Sequence, residues 1–153
     1  PFRDGAFDAV CCVDLVHHEP DRLASIFASF ARILRPGGML FLMDINAWGL
    51  TQFWKSKMMP RRFHGALRDG WHRMRRSRHR PAPYEFPTDV FGSIRLLSET
   101  GFAEIEALPL RSYPNAGRAG VAVYERLASS DRVRRYHNFH YMIFARKPET
   151  AGP

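Results

Sequence analysis

Two short, continuously apolar runs stand out in the first third of the chain: Phe7 to Leu15 (FDAVCCVDL) and Met39 to Met43 (MLFLM). Runs of this length, bounded by polar or turn residues, predict strands buried on both faces, as in parallel sheets. Between them Leu23, Ile26, Phe27, Phe30 and Leu34 recur at helical spacing. That single stripe predicts a helix over Asp21 to Arg35. Pro20 and Asp21 suit its start. Arg35-Pro36-Gly37-Gly38 suits its end, because proline presets φ and glycine accepts positive φ in a tight turn. Strand, helix, turn and strand make one βαβ unit with parallel strands.

Further along, Thr88 is placed to cap a helix running to Thr100, with Val90, Ile94 and Leu97 on one face. Gly101 is placed to stop it in the left-handed conformation. Strands are expected over Phe102 to Leu110 and Phe139 to Lys147. Asn115 to Asp131 carries few signals, and the tail from Pro148 is expected to be loose. The stretch at about 48–83 differs from the rest. Trp48, Phe53, Trp54, Met58, Phe63, Leu67 and Trp71 recur among basic residues, which predicts one or two amphipathic helices broken near Met59-Pro60.

Charge sharpens that contrast. The formal net charge is +8, and Lys55 to Arg80 holds ten basic residues against the single acid Asp69, giving +9. The remainder holds 13 basic and 14 acidic residues, giving −1. Three readings of this insert stand: a solvated helix face with a loop, a surface for anionic membrane lipid, or a nucleic-acid contact. The last is disfavoured, since no RNA-binding signature accompanies the charge. No apolar run approaches the roughly 18 residues of a membrane span. Cys11 and Cys12 are neighbours, so they point to opposite faces of a strand and suit neither a disulfide nor a zinc site. They read as two small buried apolar side chains. No metal site is expected, and the chain reads as cytoplasmic.

Three stretches read together resemble the class I S-adenosylmethionine-dependent methyltransferases, the small-molecule superfamily that includes quinone-biosynthesis enzymes. They are PFRDGAFDAVCCVDLVHHEPD (1–21), ARILRPGGMLFLMDIN (31–46) and FPTDVFGSIRLLSETGFAEIEAL (86–108). The resemblance implies an α/β fold comprising strands four to seven of a Rossmann-like seven-stranded sheet. Its last strand would be antiparallel and inserted between the fifth and sixth. It also implies S-adenosylmethionine as cofactor and a small, partly apolar methyl acceptor. The family's glycine-rich cofactor loop is missing from these residues; Gly117-Arg118-Ala119-Gly120 falls too late in the order. Residues 1–153 are therefore expected to be a partial methyltransferase domain, inactive alone. The alternative is a non-catalytic, basic surface- or partner-binding module derived from that fold.

Ligands in open α/β sheets bind beyond the carboxyl ends of the strands. By the resemblance, Val13 and Asp14 lie beside the methionine part of the cofactor and Phe2 near its adenine side. For Val13 core packing is the competing reading, and for Asp14 a loop-forming hydrogen bond. His18 and, less strongly, His17 are candidates for a general base that deprotonates the acceptor, or else for orienting the loop. Asp44 and Asn46 either face the acceptor or hold the loop after the second strand. Trp48 either lines the acceptor pocket or belongs to the core.

Overall fold

The apolar runs become neighbouring strands in the computed structural model, which describes residues 2–50, 52, 53, 57, 58, 86–111 and 117–149. Strand β1 is Phe7–Val13, helix α1 Leu23–Ile33 and strand β2 Leu34–Ile45. Helix α2 (Val90–Glu99) and strand β3 (Ala103–Leu108) follow. Helices α3 (Gly117–Leu127) and α4 (Asp131–Tyr136) lead to strand β4 (His140–Arg146). The four strands form one mixed sheet in the order β1-β2-β4-β3. β1 and β2 are parallel, with Val10 opposite Leu40 and Cys12 opposite Leu42. The last strand lies between β2 and β3 and is antiparallel to both. β1, β2 and β3 therefore end on one common edge, where β4 begins.

The core sits on one face of this sheet. Cys12, Leu40, Leu42, Ile143 and Ala145 are buried with Phe27 of α1 and Val90 and Leu97 of α2. Tyr141 is fully buried, and its hydroxyl lies 2.8 Å from Thr88 Oγ1 and 3.1 Å from Ser93 Oγ. The opposite face differs from the expectation of strands covered on both sides. Cys11 is exposed, Val13 is 49% exposed and Phe41 is 37% exposed. Both helices that build the core, α1 and α2, pack on the Cys12 face, so alternate residues of β1 stay open among the described residues. Cys12 keeps the buried role, and burial pushes its thiol up to about 11.

Boundaries shifted where local chemistry allowed two outcomes. Pro20–Arg22 forms a 3-10 turn, and α1 begins at Leu23. The Pro-Gly-Gly turn is absorbed into β2, which is extended from Leu34. Phe7 pairs with Leu34 and Ala9 with Met39, so the extra residues form a bulge. Gly38 is required there: a Cβ would lie 2.8 Å from the Arg35 carbonyl oxygen and 3.2 Å from that of Asp8. Gly101 stops α2 at φ +90 as expected. Thr88 is not the cap of α2. It is buried and bonded to Tyr141, while Asp89 accepts from the N–H groups of Phe91 and Gly92 at 3.0 and 3.2 Å. The weakly signalled stretch after residue 115 holds α3, and Ser130 caps α4. Among the described residues no helix is long and apolar enough to cross a membrane. The expected helix break at Met59-Pro60 and most of the basic insert lie outside the described residues.

Candidate active site at the carboxyl edge of the sheet

The edge where β1 and β2 end brings together Asp14, His17, Asp44 and His140. After Val13 the chain turns at Asp14, whose φ of 48 lies in the left-handed region. Aspartate is among the few residues that tolerate it. Its N–H donates to the Met43 carbonyl at 2.9 Å, the last rung of the β1–β2 ladder. A 3-10 turn, Val16–His18, then carries His17 under the end of β2.

There His17 meets Asp44. The imidazole Nδ1 lies 2.6 Å from Asp44 Oδ1, and the His17 backbone N–H donates to Oδ2 at 3.1 Å. The Ile45 N–H also donates to Oδ1 at 2.6 Å. The His17 and Asp44 side chains are only 5% and 0% exposed. Nδ1 faces a carboxylate oxygen, an acceptor, so the contact fixes the tautomer with the proton on Nδ1. The ring of His18 lies 4.1 Å from that of His17 and is half-buried.

A second histidine–carboxylate pair adjoins the first. His140, the first residue of β4, places Nε2 3.3 Å from Asp14 Oδ1. Asp14, His17 and Asp44 offer ligand atoms that all lie within 4.8 Å of one another. One imidazole and two carboxylates make a donor set that suits a divalent cation, an arrangement the sequence did not lead us to expect.

The other expected residues are placed as follows. Val13 stands exposed at the end of β1, beside Asp14. Asn46 is fully buried, and its amide is engaged on three backbone groups. Nδ2 donates to the carbonyls of Tyr136 (2.9 Å) and Asn138 (3.2 Å), and Oδ1 accepts from the Trp48 N–H (3.0 Å). That arrangement holds the loop after β2. Trp48 packs against the core, with its ring near Phe53 and Phe91, and its indole N–H donates to Asp89 Oδ1 at 2.8 Å. Phe2 is not brought to this cluster. It packs edge-on against Phe7 at the amino end of β1, the far end of the strand.

Two residues went unsingled in the sequence, His140 and Asp89. His140 is reached only through the register of β4. Asp89 at once caps α2, accepts from Trp48 and pairs with Lys57 at 2.8 Å, while Lys57 Nζ also lies 4.5 Å from the Trp48 ring centroid. Burial alone would raise its carboxyl. The bonds from Lys57, the Gly92 N–H and Trp48 outweigh that and hold it below the usual carboxylate range. The folded state thus favours the anion. Its contribution is fully present above the ordinary carboxylate pKa and is lost as pH falls through the depressed folded value, from about pH 4 downward. Asp89→Ala is expected to cost about 1–3 kcal/mol at neutral pH, combining a lost helix cap with a lost indole bond. In urea unfolding the gap between wild type and variant should narrow below about pH 4. A constant gap across that range would contradict it.

Residues 1–42 match the family described as a methyltransferase domain. Over 44 residues the chain is 52% identical to the ubiquinone biosynthesis O-methyltransferase of Xanthomonas oryzae pv. oryzae (strain PXO99A), covering 29% of this chain and 18% of that protein. The enzyme of the same name from Thiobacillus denitrificans is 43% identical over 42 residues, again covering 18% of its length. The chain thus aligns with under a fifth of the length of these relatives. Among solved structures, a SAM-dependent methyltransferase from Archaeoglobus fulgidus aligns with a TM-score of 0.59 at 13% identity. That alignment covers 95% of this chain and 62% of that one. Phosphoethanolamine N-methyltransferase 2 of Haemonchus contortus, in complex with S-adenosyl-L-methionine, aligns at 0.52 with 17% identity over 97% and 35%. At these identities the likeness is one of fold.

Proposed function

We propose that this chain, a class I S-adenosylmethionine-dependent methyltransferase, helps transfer the sulfonium methyl group to a small, partly apolar acceptor at the carboxyl edge of its sheet. The four strands are read as the last four of a seven-stranded sheet. The observation that carries the reading is the convergence of Asp14, His17, Asp44 and His140 where β1 and β2 end and β4 begins.

The donor methyl is already activated, so the protein mainly aligns donor and acceptor and excludes water. Val13 and Asp14 lie where the methionine part of the cofactor would rest. His17, with its tautomer set by Asp44, is the residue to take the acceptor's proton as the new bond forms. His18, its ring tilted by 39° against that of His17, supports it. Asn46 and Trp48 shape the rim. The 153 residues hold no glycine-rich strand-turn-helix, so the ribose and adenine contacts typical of such folds would come from outside them. The test is transfer of labelled methyl from S-adenosylmethionine by the natural-length protein to a panel of phenolic and amine acceptors. Label appearing in an acceptor supports the reading, and label appearing in none overturns it.

The basic insert suits an acceptor that lives in a membrane. Leu50 and Phe53 are exposed just before its basic residues and Met58 among them. Each Lys or Arg near an anionic leaflet contributes on the order of 1 kcal/mol. Vesicle co-sedimentation of the natural-length protein should therefore require anionic lipid, weaken with salt, and fall when Arg73, Arg75, Arg76 and Arg78 become serine. Equal recovery on neutral vesicles would leave the insert as a solvated cap.

A further inference from the structure

We propose that the cleft between the end of β3 and the corner joining α3 to α4 is an oxyanion subsite, shaped for the carboxylate or phosphate group of a small organic acid. The cleft has a volume of about 300 Å³, the lower end of the range for small-molecule sites. Among the described residues, Arg111, Tyr124, Glu125, Ser129, Arg134 and Asn138 line it.

Its floor is neutral and satisfied. Tyr124 and Asn138 are buried, and the Tyr124 hydroxyl donates to Asn138 Oδ1 at 2.8 Å. The same oxygen accepts from the Phe139 N–H at 2.9 Å, and Asn138 Nδ2 donates to the Leu110 carbonyl. Burial pushes the Tyr124 phenol up to about 12, so it stays protonated at neutral pH. The floor therefore brings no charge that would compete for, or repel, an anion.

The walls supply the charge. Arg134 donates through Nε to the Ala128 carbonyl and through Nη1 to Asp131 Oδ1, both at 3.2 Å. Those bonds fix the guanidinium plane while using two of its five N–H donors. Its side chain is 26% exposed, against 70% for Asp131. Arg111 follows the end of β3 and makes no hydrogen bond or ion pair among the described residues. Two guanidinium groups thus share a small cleft with one lining acid, Glu125. A guanidinium fork matches the paired oxygens of a carboxylate or phosphate better than any other side chain. Ser129 adds a hydroxyl.

Position gives the subsite its meaning. The carbonyl of Asn138 accepts from Asn46 Nδ2, so the floor of the cleft is tied to the loop that follows β2. The end of β3 and the start of β4, which border the cleft, lie at the sheet edge where β1 and β2 end. An acid anchored at Arg111 and Arg134 would extend its other end along this edge toward His17. That the bound acid is the methyl acceptor rests on the function proposed above; that the cleft binds an oxyanion does not.

Calorimetry on the natural-length protein with benzoate, phenyl phosphate and neutral benzamide tests it without any methyl transfer. At least one of the two anions should bind in the millimolar range or tighter, with benzamide about tenfold weaker or worse. The tighter anion identifies the group the subsite takes. Arg111→Gln, at an exposed position, should weaken the anion about tenfold, and Arg111→Lys should recover part of the loss. Arg134→Gln should abolish binding, with the fold checked by circular dichroism. Equal binding of benzoate and benzamide, no binding of either anion, or an unchanged affinity in Arg111→Gln would overturn the proposal. Failure of methyl transfer with intact anion binding would count against the proposed function alone.

Discussion

His17→Ala in the natural-length protein is expected to lower kcat for methyl transfer by about 10²–10⁴-fold, the contribution of a positioned general base. The affinity for S-adenosylmethionine should change little, because the imidazole is assigned to the acceptor's proton. Asp44→Asn should follow it closely. An amide in place of the carboxylate no longer holds the proton on Nδ1, and it leaves a buried group with the wrong polarity toward His17. Asp44→Asn should also destabilise the fold by about 1–3 kcal/mol, since Asp44 accepts from two backbone N–H groups as well. His18→Ala should cost far less, as His18 contributes ring packing against His17. A loop-holding role for His17 predicts a different pattern. The variant would then unfold more easily and bind the cofactor more weakly, with an unchanged pH profile for kcat. A base gives the opposite: the acidic limb of the kcat profile disappears in His17→Ala.

The second large effect concerns the cofactor. The 153 residues are expected to bind S-adenosylmethionine only beyond the micromolar range. On the function proposed above, they hold one wall of a cofactor site, Val13 and Asp14, and no glycine-rich turn to let a backbone approach the ligand. The same 153 residues leave β1 with one unpaired edge among the described strands and a face carrying Cys11, Val13 and Phe41 open to water. Unpaired edges and open apolar faces promote association. Calorimetry and sedimentation on the isolated segment check both points. Micromolar cofactor binding by a monomeric, cooperatively melting segment would contradict them.

Much of this was legible in the sequence because local patterns carry it. The stripe from Leu23 to Leu34 and the left-handed stop at Gly101 depend on neighbours within a turn or two. The start of β2 did not, because Pro36 and Gly37 suit a free turn and a bulge equally well, and pairing with β1 decides between them. Thr88 and Asp89 are both good caps. The contest was settled by Tyr141, 53 residues away, which takes the threonine hydroxyl. At the site, the sequence offers His17 as a base or loop-orienting residue and Asp44 as an acceptor-facing or loop-holding one, with nothing to pair them. Their bond spans 27 residues and exists only because β1 and β2 end side by side. His140 was not legible, since its approach to Asp14 follows from the last strand entering between β2 and β3. Asn46 was read as facing an acceptor or holding its loop, and three backbone hydrogen bonds favour the second.

The most direct test of methyl transfer at this edge is photocrosslinking of methyl-labelled S-adenosylmethionine to the natural-length protein, followed by peptide mapping. Label is expected on the peptide spanning Val13 to His18, competed away by S-adenosylhomocysteine. Label confined to peptides outside 13–18 and 44–48, with competition intact, would place the cofactor elsewhere and contradict it.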